Sequence, residues 1–367
     1  MRSCDGRLRI CFTKKLGLFV NQAWICGFYF RQFCRDGAFM PKWILVLLLS
    51  VLPVTRANGE VKVEKIEYKG WHNCYRVSNG EVELVVTGDV GPRVIRFGFV
   101  GGQNLFKEYA DQLGGQNEEK FQLRGGDRVW KSPEDPIATW APDNVPVQLT
   151  VTPNGLIATA PVEPLTRLQK EIEVRMAGQG AQVEVVHRIT NHGLFPLEFS
   201  PWVLTMMAPG GLAISGFPPR GRHPINLEPT NPLVMWAYTN LSDKRWVFTK
   251  KYLTLRQDPN NSEAQKLGMF NAESWGAYVL NGEVFVKRAA AIPGKAYPDF
   301  GCSVEFFTNN EFLETETLGP LTNVLPGKTV EQVEHWSLHR GAHLSEISDE
   351  AIDQAILPLL RGAASAN

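Results

Sequence analysis

Two glutamates, Glu314 and Glu316, sit two positions apart in the segment FLETETLGPL, residues 312–321. Side chains two apart in a strand share a face, so both carboxylates point the same way, beside Phe312 and Leu318. Their Cα atoms then lie roughly 6.6 Å apart, a spacing that any such pair in a strand shares. Two carboxylates on one face of a β-protein suit three roles: a solvated edge, an acid and a base that exchange a proton, or hydrogen-bond acceptors for a polyol. A second group of polar residues lies in LRGGDRVWKSPEDP, residues 123–136. There Arg124, Asp127, Arg128, Trp130 and Lys131 surround Gly125-Gly126, and a Gly-Gly step allows close backbone approach. Trp130 offers an apolar face to a sugar ring, while the arginines and Asp127 offer hydrogen bonds to vicinal hydroxyls. The competing reading is a structural turn with a core tryptophan. Arg93, after Gly91-Pro92, is either a cleft residue or an edge charge. His187 alternates with Val183, Val185 and Ile189, the pattern of a satisfied core histidine. His335 and His339 share one face of the last strand. Trp202 and Trp275, among eight tryptophans beyond Ala57, either pack in the core or stack on a ligand.

The elements that must position these residues are mostly strands. Val82–Val86 and Arg93–Phe99 flank a Gly-Asp-Val-Gly-Pro turn, with Ile95, Phe97 and Phe99 expected on one face. Val145–Val151, Leu156–Ala160, Ile172–Met176 and Val183–Ile189 alternate with period two. Tyr278–Leu280 and Val284–Lys287 flank Asn281-Gly282, a strong hairpin signal. Val304–Phe307, Phe312–Leu318 and Val330–Leu338 complete the set, with a turn at Asn309-Asn310. Many short strands with turn punctuation imply a large antiparallel sandwich. Segments 208–232 and 256–266, rich in Pro, Gly and Asn, read as long loops. One helix is expected over Ser348–Leu360, capped by Ser348 and favoured by Asp349 and Glu350 near its positive end, with Pro358 ending or kinking it.

From Met40 the chain reads MPKWILVLLLSVLPVTRANGE. A Lys-bearing start, an apolar run of about 12 residues and small residues at Thr55 and Ala57 fit a cleaved secretory signal over 40–57. The run is too short to span a bilayer, which takes roughly 20 residues. Residues 1–39 are then expected to be a spurious leader, 58–340 the β-domain, and 341–367 a C-terminal helix and tail. Segment 1–57 holds nine Lys and Arg against two Asp and Glu, so residues 58–367 keep 29 basic and 36 acidic residues, a net charge of −7. An acidic, secreted or periplasmic chain is a poor match for nucleic acid. Only Cys74 and Cys302 lie beyond residue 57; an oxidising compartment permits them to pair, and the sequence does not say whether they meet. No Cys/His cluster has zinc-ligand spacing, and no phosphate or dinucleotide fingerprint appears, so no metal and no cofactor is expected.

Several segments together resemble the galactose-mutarotase-like superfamily: GDVGPRVIRFGFVGGQNLF (88–106), RITNHGLFPLEFSPWVLTMM (188–207), FLETETLGPL, and LPGKTVEQVEHWSL (325–338). LRGGDRVWKSPEDP, ESWGAYVLNGEVFVKR (273–288) and AYPDFG (296–301) are closer still to one uncharacterised branch, domain of unknown function 4380. The resemblance spans roughly 60–340. It implies a β-supersandwich with a sugar cleft on a concave sheet, a glutamate near the chain end as general base, and one or two histidines as acid. The glutamate maps onto Glu316, and Asn191 falls in the "leu-thr-asn" position. Where the family places a histidine, the chain reads Ser200 to Thr205 without one, and Asp127 stands where its own branch suggests another. His192, after Asn191, only superficially echoes the family motif.

The resulting expectation is a monomeric, secreted carbohydrate-binding protein with no stable membrane span after signal cleavage. Its site would draw on Glu316, Glu314, Asp127, Arg93, Arg124, Arg128, Trp130, Lys131, Asn191, Trp202 and Trp275. The enzymatic alternative is an aldose 1-epimerase-like isomerase with Glu316 as base and Asp127 as acid; a third reading is a structural β-sandwich with no ligand. N-terminal sequencing of the native protein should begin at Asn58, and recovery of any residue from 1–39 refutes the signal assignment.

Overall fold

The period-two pattern resolves into two antiparallel sheets. The computed structural model describes residues 59–230 and 233–362; the expected leader and signal lie outside them. The first sheet runs in the order β1 (Lys62–Tyr68), β2 (Trp71–Ser78), β3 (Val82–Val86), β4 (Val94–Phe99), β5 (Gly126–Ser132), β10 (Leu197–Met207), β19 (Leu313–Leu318), β18 (Val304–Thr308), β15 (Gln265–Met269) and β12 (Leu233–Met235), with β20 (Thr322–Val324) against the start of β10. The second runs β13 (Trp246–Phe248), β14 (Tyr252–Arg256), β11 (Leu212–Gly216), β16 (Trp275–Leu280), β17 (Glu283–Arg288), β21 (Thr329–Arg340), β9 (Gln182–Asn191), β8 (Leu168–Met176), β7 (Gly155–Thr159) and β6 (Gln148–Thr152).

Between the sheets lies an apolar core in which Phe97, Phe106, Phe285 and Trp336 pack with ring centroids 5.4–6.1 Å apart. Asn281-Gly282 makes the expected two-residue hairpin, with φ of 51° and 79°, as a type I′ turn requires. Asn309 closes the other hairpin: its Oδ1 accepts from the amides of Glu311 (2.8 Å) and Phe312 (3.1 Å). Three local expectations are corrected. Ile95 does not share a face with Phe97 and Phe99, because a bulge opposite Val85 and Val86 turns it toward Trp71, Cys74 and Val90. The segments read as loops over 208–232 and 256–266 contain β11 and the start of β15. The single terminal helix is split into α1 (Asp349–Ala355) and α2 (Leu357–Gly362), with Pro358 in the first turn of α2, where no amide donor is needed. Ser348 caps α1 as expected, its Oγ accepting from the Ala351 amide at 3.2 Å. Ile352, Ile356 and Leu360 pack these helices onto the outer face of the second sheet.

A polar seam interrupts the core. Asp127 accepts from Thr205 Oγ1 (2.7 Å) and meets His187 Nε2 at 2.7 Å. Lys287 Nζ lies 2.8 Å from Glu334 and donates to Thr205 Oγ1 at 2.9 Å. Glu334 also accepts from Thr317 Oγ1 and, at 2.7 Å, from Trp336 Nε1. Asp127, His187, Lys287 and Glu334 are all fully buried. Buried ionisable groups of this kind are tolerable only because each is paired; removing one partner leaves another stranded in a dry interior. Asp127→Ala should therefore cost about 3 kcal/mol of stability in urea unfolding, and a loss under about 0.5 kcal/mol would show that the seam contributes nothing.

Candidate functional site

The other face of the same strands carries the candidate site. Registers place the residues in rows across the sheet. Trp130, Trp202 and Leu318 form one row; Arg128, Leu204, Glu316, Glu305 and Gly268 form the next; Met206, Glu314, Phe307 and Lys266 form a third. Diagonal neighbours in such rows are within reach of long side chains. Arg128 Nη2 donates to Glu314 Oε1 at 3.1 Å. Lys266 Nζ lies 2.8 Å from Glu305 and 2.9 Å from Glu316. Trp202 Nε1 donates to Glu316 Oε2 at 2.7 Å. Gly268 leaves the space these groups need: a Cβ there would lie 2.5 Å from Cys302 Sγ and 3.1 Å from Glu305 Cγ.

Aromatic rings enclose both cations. The Arg128 guanidinium sits 4.4 Å from the Trp130 ring centre and 5.8 Å from that of Phe121. The Lys266 ammonium sits 4.5 Å from Trp202 and 4.6 Å from Trp236. These are cation–π distances, and the attraction grows as water is excluded. Glu305 and Glu316 are each only 1% exposed, and Glu314, at 6%, is the most open of the three acids.

Three carboxylates thus face two cations in a dry environment. Burial raises the Glu305 carboxyl well above its ordinary value; repulsion from Glu316 adds to this, and Lys266 offsets it only in part. Burial likewise pushes Glu314 up to about 7, against the pull of Arg128 and with the help of Glu316. Burial disfavours the Lys266 ammonium, but Glu305 and Glu316 outweigh it and hold that group well above the usual lysine range. The cluster therefore holds a carboxyl that changes protonation near neutrality beside one that favours its protonated form. Within this cluster, with Glu305 Oε2 held by Lys266, four buried atoms have neither a hydrogen bond nor an ion pair: Glu316 Oε1, Glu305 Oε1, and Arg128 Nε and Nη1. Native interiors satisfy nearly all such atoms.

The structure brings Glu314, Glu316, Arg128, Trp130 and Trp202 together and leaves the other candidates elsewhere. Asp127 is one residue from Arg128 on the same strand, so it points inward to the seam. Arg93 is a buried brace that donates to Leu123 O (3.0 Å) and Gly125 O (2.6 Å) and pairs with Asp143 at 2.7 Å. Arg124 is another, donating to Gln112 O (2.7 Å) and Asn144 Oδ1 (3.1 Å) and pairing with Glu118. Lys131 Nζ turns back to Pro133 O at 3.1 Å. Asn191 Nδ2 donates to Phe195 O and Val324 O, both at 2.9 Å, and so fastens the turn after β9. Trp275 lies on the outer face of the second sheet. Cys74 and Cys302 are separate buried thiols in different clusters, and burial pushes the Cys74 thiol up to about 12.

Sequence reading missed Lys266 and Glu305. Lys266 was hidden because its strand begins in a stretch that reads as loop. Glu305 was recoverable: a hairpin closed by Asn309 and pairing Thr308 with Leu313 puts Glu305 directly opposite Glu316.

No family model matches this chain, and neither does any curated protein. Solved structures do. A "putative mutarotase" from Salmonella typhimurium is 9% identical and superposes with a TM-score of 0.50 over 81% of this chain and 99% of its own. A galactose mutarotase-like protein from Lactobacillus casei is 9% identical, with a TM-score of 0.49 over 73% of this chain and 100% of its own. At such identity the likeness concerns architecture: two antiparallel sheets in the galactose-mutarotase-like fold are the architecture of this chain.

Proposed function

We propose that this protein is a secreted, monomeric carbohydrate-binding protein whose sugar site is the outer face of β5, β10, β19, β18 and β15. The observation that carries the reading is the set of four unpartnered buried atoms on Arg128, Glu305 and Glu316, adjoining the rings of Trp130 and Trp202. Sugar recognition needs both: donors and acceptors for hydroxyls, and flat apolar surfaces for the C–H faces of the ring. Glu314, at 6% exposed, is the least enclosed of the three acids and pairs with Arg128, itself 2% exposed. The fold supports this reading only as architecture, since one fold hosts many functions. Secretion rests on the sequence of residues 40–57; no helix of the described residues is long and apolar enough to cross a membrane.

A thermal-shift screen against mono- and oligosaccharides tests the site. A ligand at a hundredfold its Kd stabilises the folded state by about 2.7 kcal/mol. One sugar should raise the melting temperature, and Glu316→Gln should abolish that increment whatever it does to the unliganded protein. No increment from any sugar at millimolar concentration would sink the proposal.

One observation favours a second reading, a sugar isomerase with Glu316 as base: the Glu314 carboxyl, two residues away on the same face, is poised at about 7. Proton exchange needs groups that titrate near working pH. The same shift has a stability consequence. Because the folded state holds the Glu314 proton more tightly than the unfolded chain, folding is favoured below about pH 4.5 and that contribution is lost as pH rises through about 7. Urea unfolding should show the wild type losing more stability between pH 5 and pH 8 than Glu314→Gln does. Equal slopes would remove the raised carboxyl from the argument.

A further inference from the structure

A cavity of about 730 Å³ opens on the outer face of the second sheet, where α2 stops and the 217–230 segment begins. That volume falls in the range of small-molecule sites. It is remote in the fold from the Glu316 cluster, which faces outward from the other sheet.

Its floor is apolar and aromatic: Tyr252, Trp275, Phe217, Leu357 and Leu360 line it. The floor depends on a glycine. A Cβ on Gly216 would lie 3.0 Å from Trp275 Cζ2, so any larger residue would have to push that ring away from β11 by a few tenths of an ångström. The rim is cationic. Of the four basic residues that line the cavity, Arg288 is paired with Glu273 at 2.9 Å, and Lys251 is paired with Asp353. Arg220 and Lys250 are exposed and form no ion pair with a described carboxylate, with Asp349 in longer electrostatic reach of Lys250. Glu273, the one acidic residue lining the cavity, is already occupied by Arg288. An apolar floor with two exposed basic side chains free of close ion pairs at its mouth is complementary to one class of small molecule.

We infer that this cavity binds an amphipathic organic anion, its apolar body on Trp275 and Tyr252 and its carboxylate, sulfonate or phosphate head at Arg220 and Lys250. The apolar body loses water on entry, which supplies the affinity. The two cations select the sign of the head group and orient it.

Fluorescence titration of the full-length chain with 8-anilinonaphthalene-1-sulfonate tests this, with decanoate and decanol as competitors. The dye should bind saturably at one equivalent, and decanoate should displace it at least about tenfold more effectively than decanol, a tenfold step being about 1.4 kcal/mol. The double variant Arg220→Glu/Lys250→Glu changes two exposed side chains, so it should fold normally yet bind both anions about tenfold or more weakly. Leu357→Trp, which fills the cavity, should abolish binding at this site, while Glu316→Gln should leave it intact. Equal displacement by decanol, or unchanged affinity in the charge-reversed variant, would overturn the anion assignment. Dye binding that survives Leu357→Trp, or no saturable binding at all, would overturn the site itself. None of these readouts depends on sugar binding at the other sheet.

Discussion

The constraint on which the rest depends is the two-residue alternation of β5, β10 and β19, which carry polar side chains on both faces. Asp127, Thr205, Thr315 and Thr317 point inward; Arg128, Trp202, Glu314 and Glu316 point outward. Neither face can offer its charges to bulk water, so each has to be neutralised from a neighbouring strand. The inner face is met by His187, Lys287 and Glu334 from the second sheet, and the outer face by Lys266 and Glu305 from the same sheet. A one-residue slip in any of the three strands would exchange the two sets and strand several charges at once. Ordinary sheets fix register with apolar patterning; here ion pairing on both faces adds to it.

On the outer face the arrangement is more demanding than a simple ion pair. Glu305 and Glu316 are direct cross-strand partners, a placement that normally destabilises a sheet. One ammonium, on Lys266, lies within 2.9 Å of both. It serves two acids, and only one partner is therefore fully compensated. Burial is the main cause of the raised Glu305 carboxyl, and repulsion from Glu316 that Lys266 offsets only in part adds to it; Glu314 is likewise raised first by its burial and then by Glu316. The aromatic enclosure reinforces the effect, since Trp202 and Trp236 exclude water from the ammonium while attracting it. A position that tolerates so much uncompensated charge works against stability, and such sites in folded proteins tend to be functional.

Much of the architecture was legible because it rests on local signals: period-two alternation, the Asn281-Gly282 turn, the Asn309 turn, the Ser348 cap. What was lost was lost for identifiable reasons. The β4 bulge moved Ile95 to the other face because an extra residue shifts the alternation without altering composition. Short strands such as β11 and the start of β15 were masked by neighbouring Pro, Gly and Asn. For the site, types and spacing found Glu314, Glu316, Arg128 and Trp130, but grouping Arg128 with Asp127 ignored the alternation that had identified the glutamates. Arg93 and Arg124 failed for another reason. Sequence shows a basic residue in a Gly-rich loop, not that the loop's own carbonyls consume its donors. Asn191 likewise spends its side chain on backbone.

The same alternation decides where proton chemistry at Glu316 has to find its partner. Asp127, the acid suggested by sequence, is on the opposite face of the sheet and is already engaged by His187 and Thr205. His187, an obvious donor by residue type, shares that inner face. A partner for Glu316 has to come from its own face, where Glu314 and Glu305 are the carboxyls and Lys266 the ammonium. Lys266 is held firmly charged by two acids, which makes it a poor proton donor and a good electrostatic anchor. Glu305 and Glu314 are both buried, Glu314 slightly less so, and Glu314 pairs with Arg128. Reaction at this face would therefore pass a proton between carboxylates, with burial separating their affinities. If neither acid reaches a bound sugar, the same groups are left as hydroxyl acceptors, and the site binds without turnover.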